Sequence, residues 1–225
     1  MKYHSFMQNL STFMFDKSHF IIKKPIPDSG FVSGSNMLSD NKIQYIWSNN
    51  LYYIKQYSSI IDEQFDEELN LQDVYKKISD TDFRSFYRLF MIQEKVIGGF
   101  RMVINDPYTE YSLPSEKPGF TFKDTFKKLD LANNKYTELS RFAVDPSYRN
   151  NMEHYRDGFH AYKEKMIELG VKYLFLCSSK SRFRIYNRFA TKHFNLIAHK
   201  DIDVSGWEKR YRHLEFYVCV YEVTK

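Results

Sequence analysis

Glu138-Leu139-Ser140-Arg141-Phe142-Ala143-Val144 places a carboxylate and a guanidinium three residues apart inside a run that otherwise reads as a strand. Flanking Tyr136, Thr137, Phe142 and Val144 favour extended backbone, and Pro146 ends it. A regularly alternating strand turns Leu139, Arg141 and Ala143 to one face and Glu138, Ser140, Phe142 and Val144 to the other, so the two charges are expected on opposite faces. A carboxylate buried on a sheet face either pairs with a cation or holds its proton to unusually high pH, the property of a general base. Glu138 is therefore either half of a structural ion pair or a candidate for proton transfer, and Arg141 is a charge that must find a partner.

The elements that must position these residues can be read outward from them. Tyr155, Phe159, Tyr162, Met166 and Leu169 form one apolar stripe at helical spacing, and Gly170 stands where a helix should stop. Val171–Cys177 follows as a buried strand, so Glu138 to Cys177 is written as strand, helix, parallel strand. Upstream, Ser85–Ile92 and Val96–Ile104 predict a hairpin around the polar turn Gln93-Glu94-Lys95. Gly98-Gly99 in its second arm indicates a bulge or a close backbone approach.

Pro107, Pro114 and Pro118-Gly119 predict a long loop before a short amphipathic stretch, Phe122–Leu131. Leu51–Tyr57 and Leu71–Ile78 are expected as short helices, Ser181–Lys192 as a further helix, and Phe194–Ala198 and Leu214–Val223 as the last strands. Residues 1–40 read as an N-terminal arm in which Phe6, Leu10, Phe13 and Met14 recur at helical spacing. Residues 41–225 read as one domain of α+β class, a mixed and mostly antiparallel twisted sheet flanked by helices.

Composition narrows the function classes. The 225 residues, 43% hydrophobic and 18% aromatic, describe a chain that folds around a proper core. Two cysteines, each inside an apolar run, are expected to be reduced core residues of a cytoplasmic protein. No apolar stretch reaches the length of a membrane span, and the first residues lack the pattern of a signal peptide. Seven histidines without an HxxxH or HxH pair argue against a metal site. A net charge of +5 suits an acidic partner, but no nucleic-acid-binding motif accompanies it.

The ordered combination of Asp62-Glu63-Gln64-Phe65-Asp66, then Val96-Ile97-Gly98-Gly99-Phe100-Arg101-Met102, then Glu138-Leu139-Ser140-Arg141-Phe142 resembles the acyl-homoserine lactone synthases of the LuxI type. These share the GNAT acyltransferase fold, and the likeness runs from about Asp62 to Arg188. It implies transfer of a fatty acyl chain from acyl carrier protein, or from acyl-CoA, to the amino group of S-adenosylmethionine, followed by lactone closure, with no tightly bound cofactor. Glu138 would be the base, and backbone N–H groups near Ala143 and Val144 would hold the thioester oxygen.

By the same resemblance Arg101 and Arg141 would pair with Glu63 and Asp66 to order the acceptor site, which Ser140 and Phe142 would also line. The upstream Arg, Phe and Trp of that family have only loose counterparts in Lys42, Ile46 and Trp47, or in Lys55 and Tyr57. The identity of the amine is left open by those positions. A GNAT-fold N-acyl amino acid synthase or other amine N-acyltransferase is the alternative, and a non-catalytic GNAT-like binding module the third reading.

The donor is constrained separately. Acetyl-CoA-dependent GNAT enzymes cradle pyrophosphate with an R-x-x-G-x-G/A turn, whereas Arg149 is followed here by Asn150-Asn151-Met152-Glu153-His154 without a glycine. This favours a donor delivered by a carrier protein. Such carriers are acidic, and Arg149, Arg182, Arg184 and Arg188 are the residues expected to meet one.

Overall fold

The computed structural model describes residues 42–69, 80–203 and 215–223, all within a unit spanning Asn41–Lys225. The N-terminal arm, the helix expected over Leu71–Ile78 and the start of the last strand at Leu214 lie outside the described residues.

The order of elements is β1 (Gln44–Ser48), α1 (Leu51–Leu69), a single helical turn at Asp80–Phe83, then β2 (Ser85–Ile92) and β3 (Lys95–Ile104). A long loop with another helical turn at Phe122–Thr125 leads to β4 (Lys135–Val144) and a 3-10 turn at Pro146–Tyr148. Then come α2 (Glu153–Leu169), β5 (Val171–Ser179), α3 (Lys180–Ala190), β6 (Phe194–Ile202) and β7 (Phe216–Val223).

Among the described residues the strands form one seven-stranded sheet in the order β1-β2-β3-β4-β5-β7-β6. Every neighbouring pair is antiparallel except β4 and β5, which α2 links in parallel. The predicted α+β class and mixed, mostly antiparallel sheet are what the chain adopts. Two differences are instructive. β1 is a five-residue edge strand, too short for its alternation to be read from sequence. The helix expected over Leu51–Tyr57 runs on to Leu69 and takes in the acidic cluster Asp62–Asp66, because Ile54, Tyr57 and Ile61 continue one apolar stripe into it.

The sheet is covered on both faces. Phe159, Tyr162 and Met166 of α2 and Tyr186, Phe189 and Ala190 of α3 pack on Phe100, Met102, Leu139 and Leu176. On the other face Ile54, Tyr57 and Ile61 of α1 meet Tyr87, Leu89 and Ala143. Further along that face Leu113 and Phe122 of the long loop seal Val103, Tyr136 and Phe175, with Phe122 stacked on Phe175 at 4.1 Å. A loop with fully buried side chains of this size is part of the core, since each contributes about 1.5–3 kcal/mol by burial. Gly170 ends α2 in the left-handed conformation (φ 65°), as the sequence indicates.

The paired glycines of β3 mark a close approach. A Cβ on Gly99 would stand 2.5 Å from the Arg88 carbonyl oxygen, and one on Gly98 2.8 Å from that of Ala143. Neither obstacle is a flexible side-chain tip, so the strands themselves would have to part. Gly99→Ala is expected to lower stability by about 1–3 kcal/mol, read as a shift in urea midpoint. An unchanged midpoint would show that β2 yields at Arg88.

Candidate active site

The site is made by a break in β4. Arg101 is opposite Ser140 and Gly99 opposite Ala143, so β4 spends one residue more than β3 between those pairs. Arg141 sits in this bulge with φ 57°, a left-handed conformation uncommon for a residue with a side chain. The extra residue flips the strand's alternation. Leu139, Phe142 and Val144 all face α2 and α3, while Ala143 joins the α1 side. The expectation that Glu138 and Arg141 leave opposite faces is therefore corrected: the bulge turns Arg141 back to the side that Glu138, Ser140 and Arg101 share.

There the two guanidiniums converge on a single carboxylate. Asp82 Oδ1 accepts Arg101 Nη1 at 2.6 Å, Arg141 Nη1 at 2.8 Å and the Tyr87 hydroxyl at 2.5 Å. Arg101 Nε donates to Ser140 Oγ at 3.1 Å, and the Tyr57 hydroxyl donates to the Arg141 carbonyl, fixing the bulge from α1. Burial, and then the positive charge of Arg101, pulls Arg141 below the ordinary guanidinium value.

The partner expected at Glu63 and Asp66 is thus Asp82. Glu63 is exposed on α1, and the side chain of Asp66 lies outside the described residues. Asp82 has a sequence signal of its own, since Asp80-Thr81-Asp82-Phe83 holds an acidic pair immediately before the first hairpin strand.

Glu138 is 2% exposed. Its Oε2 accepts the Ser115 backbone N–H at 3.0 Å and its Oε1 the Ser115 hydroxyl at 2.7 Å. Burial pushes its carboxyl up to about 7, against the opposing effects of the two Ser115 bonds and the charge of Arg101. A carboxyl that titrates near neutrality can accept a proton and return it, which an ordinary solvated glutamate does poorly. Ser115 was not legible as a site residue, because nothing in a proline-bearing loop says which strand it will meet.

β4 and β5 pair only from Lys135–Val171 to Leu139–Leu176, while β4 continues along β3 to Val144. The two parallel strands therefore part just beyond Glu138. Phe142, Val144, Arg149, Tyr155, Arg182, Ile185, Tyr186 and Gln64 line a cleft of about 140 Å³, partly open to solvent. Arg149 Nε donates to the Val144 carbonyl at 3.0 Å, and the Val144 N–H faces Gln64 Oε1 at 3.4 Å.

Of the expected basic residues, the structure brings Arg149 and Arg182 to this cleft. It leaves Arg184 and Arg188 exposed on α3 and outside the lining. The loose counterparts Ile46 and Trp47 fall on β1, where Trp47 meets Phe100 edge-on and Arg88 lies over its ring. Among the described residues no three His, Cys, Asp or Glu side chains gather as metal ligands, and no helix is long and apolar enough to cross a membrane.

No family model matches the sequence, and no curated protein matches it. Solved structures do. The acyl-homoserine lactone synthase LasI superposes with a TM-score of 0.53 at 14% identity, over 80% of this chain and 89% of that one. FeeM, an N-acyl amino acid synthase from uncultured soil microbes, gives 0.53 at 10% identity, over 81% and 92%. An acetyltransferase of the GNAT family from Desulfovibrio desulfuricans gives 0.51 at 13% identity, over 81% and 100%. With its bulged β4, its parting parallel strands and this likeness, the chain has the GNAT acyltransferase fold.

Proposed function

We propose that this protein is an N-acyltransferase that moves a fatty acyl group from acyl carrier protein to the amino group of S-adenosylmethionine, making an acyl-homoserine lactone. The observation that carries the reading is Glu138: a carboxyl titrating near 7, within the field of the Asp82-paired Arg101, at the point where β4 leaves β5. An amine must lose a proton to attack a thioester, and Glu138 is the buried group poised to take it. The amine nitrogen bonds to the thioester carbonyl carbon, the carbon–sulfur bond breaks, and the carrier leaves as a thiolate.

Around that step the other residues divide the work. The cleft lined by Phe142, Tyr155 and Tyr186 suits the donor's arm and chain. Arg149 and Arg182 at its mouth suit a phosphate group on an acidic carrier. The Val144 N–H becomes the donor for the thioester oxygen once Gln64 turns aside. Arg101, Arg141 and Asp82 hold the bulge and set the field that Glu138 feels, and lactone closure follows on the acylated product.

A second reading, N-acyl amino acid synthesis, is supported by the equal likeness to FeeM and by the exposure of Glu63, which leaves the acceptor side without one of its expected acids. Expression in a bacterial host, with mass spectrometry of organic extracts, separates the two by product. Folded protein with no acylated product would remove both. In the purified reaction Arg182→Ala is expected to raise KM for the acyl carrier protein about tenfold, equivalent to about 1.4 kcal/mol, with kcat unchanged. An unchanged KM would take Arg182 out of donor binding.

A further inference from the structure

We propose that the Ser115 hydroxyl is a catalytic proton relay, the group through which the acceptor amine reaches Glu138. The inference rests on the acyltransferase reading and adds a residue to it. The geometry that carries it is an ordering of exposure. Glu138 is 2% exposed and both its oxygens face Ser115, while Ser115 itself is only half-buried and so reaches solvent where the carboxylate does not. A hydroxyl in this position gives its own proton to Glu138 Oε1, and even with the Cys177 thiol beside it one lone pair is left for an incoming N–H.

The loop is built to keep Ser115 there. Glu116, 7% exposed, spends its carboxylate on the loop's own backbone: Oε2 accepts the N–H groups of Ser112 and Leu113 at 3.0 and 3.1 Å. Its Oε1 accepts the Phe122 N–H at 3.0 Å. These bonds tie together the two ends of the segment that carries Ser115, and both ends are sealed by the fully buried Phe122 and the nearly buried Leu113. Arg84 Nη2 adds a bond to the Ser112 carbonyl at 2.9 Å.

The step balances. The ammonium nitrogen of the acceptor passes a proton to Ser115 Oγ as Ser115 passes its own to Glu138 Oε1. A cation and an anion become a neutral amine and a neutral carboxylic acid, and Ser115 is unchanged. The groups facing Glu138 during this exchange are Arg101 of β3, Glu116 of the loop, Tyr162 of α2 and Cys177 of β5. None of these four donates a hydrogen bond to the carboxylate; among the described residues its hydrogen bonds come from Ser115.

The test uses the full chain with acyl carrier protein bearing a fatty acyl thioester and S-adenosylmethionine as acceptor. Ser115→Ala is expected to lower kcat about 100-fold with little change in KM, and Ser115→Thr, which keeps the hydroxyl, to restore most of it. The acid limb of the kcat profile should move to higher pH in Ser115→Ala, because a bond favouring the charged carboxylate is gone. Carbon-13 NMR of the Glu138 carboxyl in glutamate-labelled protein reads the same upward move without turnover.

Wild-type kcat in Ser115→Ala overturns the relay, and so does a lowered kcat with the limb and the Glu138 titration unmoved. If the wild-type chain acylates neither S-adenosylmethionine nor an amino acid, the function reading falls by itself. The NMR titration then stands apart from it, and an unmoved titration overturns the grip of Ser115 on Glu138.

Discussion

Glu138→Gln is expected to lower kcat by about 100- to 10,000-fold and, at the same time, to make the protein more stable above neutral pH. The two effects share one cause. Glu138 binds its proton up to about pH 7 in the folded chain, against a value of 4.5 for an ordinary glutamate. Between those limits the folded state holds the proton more tightly than the unfolded state does. The stability this confers is fully present below pH 4.5 and is lost as pH rises through about 7. The loss is about 3 kcal/mol.

A glutamine has no proton to lose and so avoids that loss. It also fits the existing bonds, since its oxygen can accept the Ser115 N–H while its amide donates to the Ser115 hydroxyl. Urea midpoints of the two proteins should converge near pH 4 and separate by pH 8 in favour of the variant. Parallel curves would mean that Glu138 titrates normally, and full activity in the variant would remove it as the base.

Asp82→Ala carries the second large effect. It leaves Arg101 and Arg141, 3% and 12% exposed, facing one another without the carboxylate they share. Removing one partner of a buried ionic group costs about 3–5 kcal/mol, far more than a surface pair, because the remaining charges lose their compensation. Asp82→Asn keeps an acceptor and should lose less.

Asp82 also offsets the positive field that Arg101 exerts on Glu138. Without it that field strengthens and favours the carboxylate, so the acid limb of the pH profile should shift downward. The shift is opposite in sign to that expected of Ser115→Ala. A stability loss below about 1 kcal/mol in Asp82→Ala would show that another carboxylate can take over the two arginines.

How much of this was legible varies with the range of the interaction. The hairpin Ser85–Ile104, the α2 stripe and its Gly170 stop, and the parallel step to β5 are local patterns, and each is found within a few residues of its expected bounds. Glu138 and Arg141 announced themselves as charges in an apolar run, and Arg101 through its place after the paired glycines. Their partners did not. Asp82 is 19 residues from Arg101 and 59 from Arg141, and Ser115 is 23 from Glu138.

The sequence by itself determined the order of strands and helices from the first hairpin onward, the positions of the charges and the likeness that suggests a chemistry, because period-two and period-3.6 patterns and turn residues act over short stretches. Only the tertiary structure decided which face each charge takes and which group meets it. One extra residue in β4 reverses the alternation on which any face assignment rests, and whether a strand bulges depends on the neighbour it pairs with. Gly98 and Gly99 let β3 approach its neighbours closely, Tyr57 clamps the bulge from α1, and the Glu116-bound loop sets Ser115 on Glu138. These contacts come from segments far apart in the chain, and together they turn an apolar strand with two misplaced charges into a buried acid with a base's pKa.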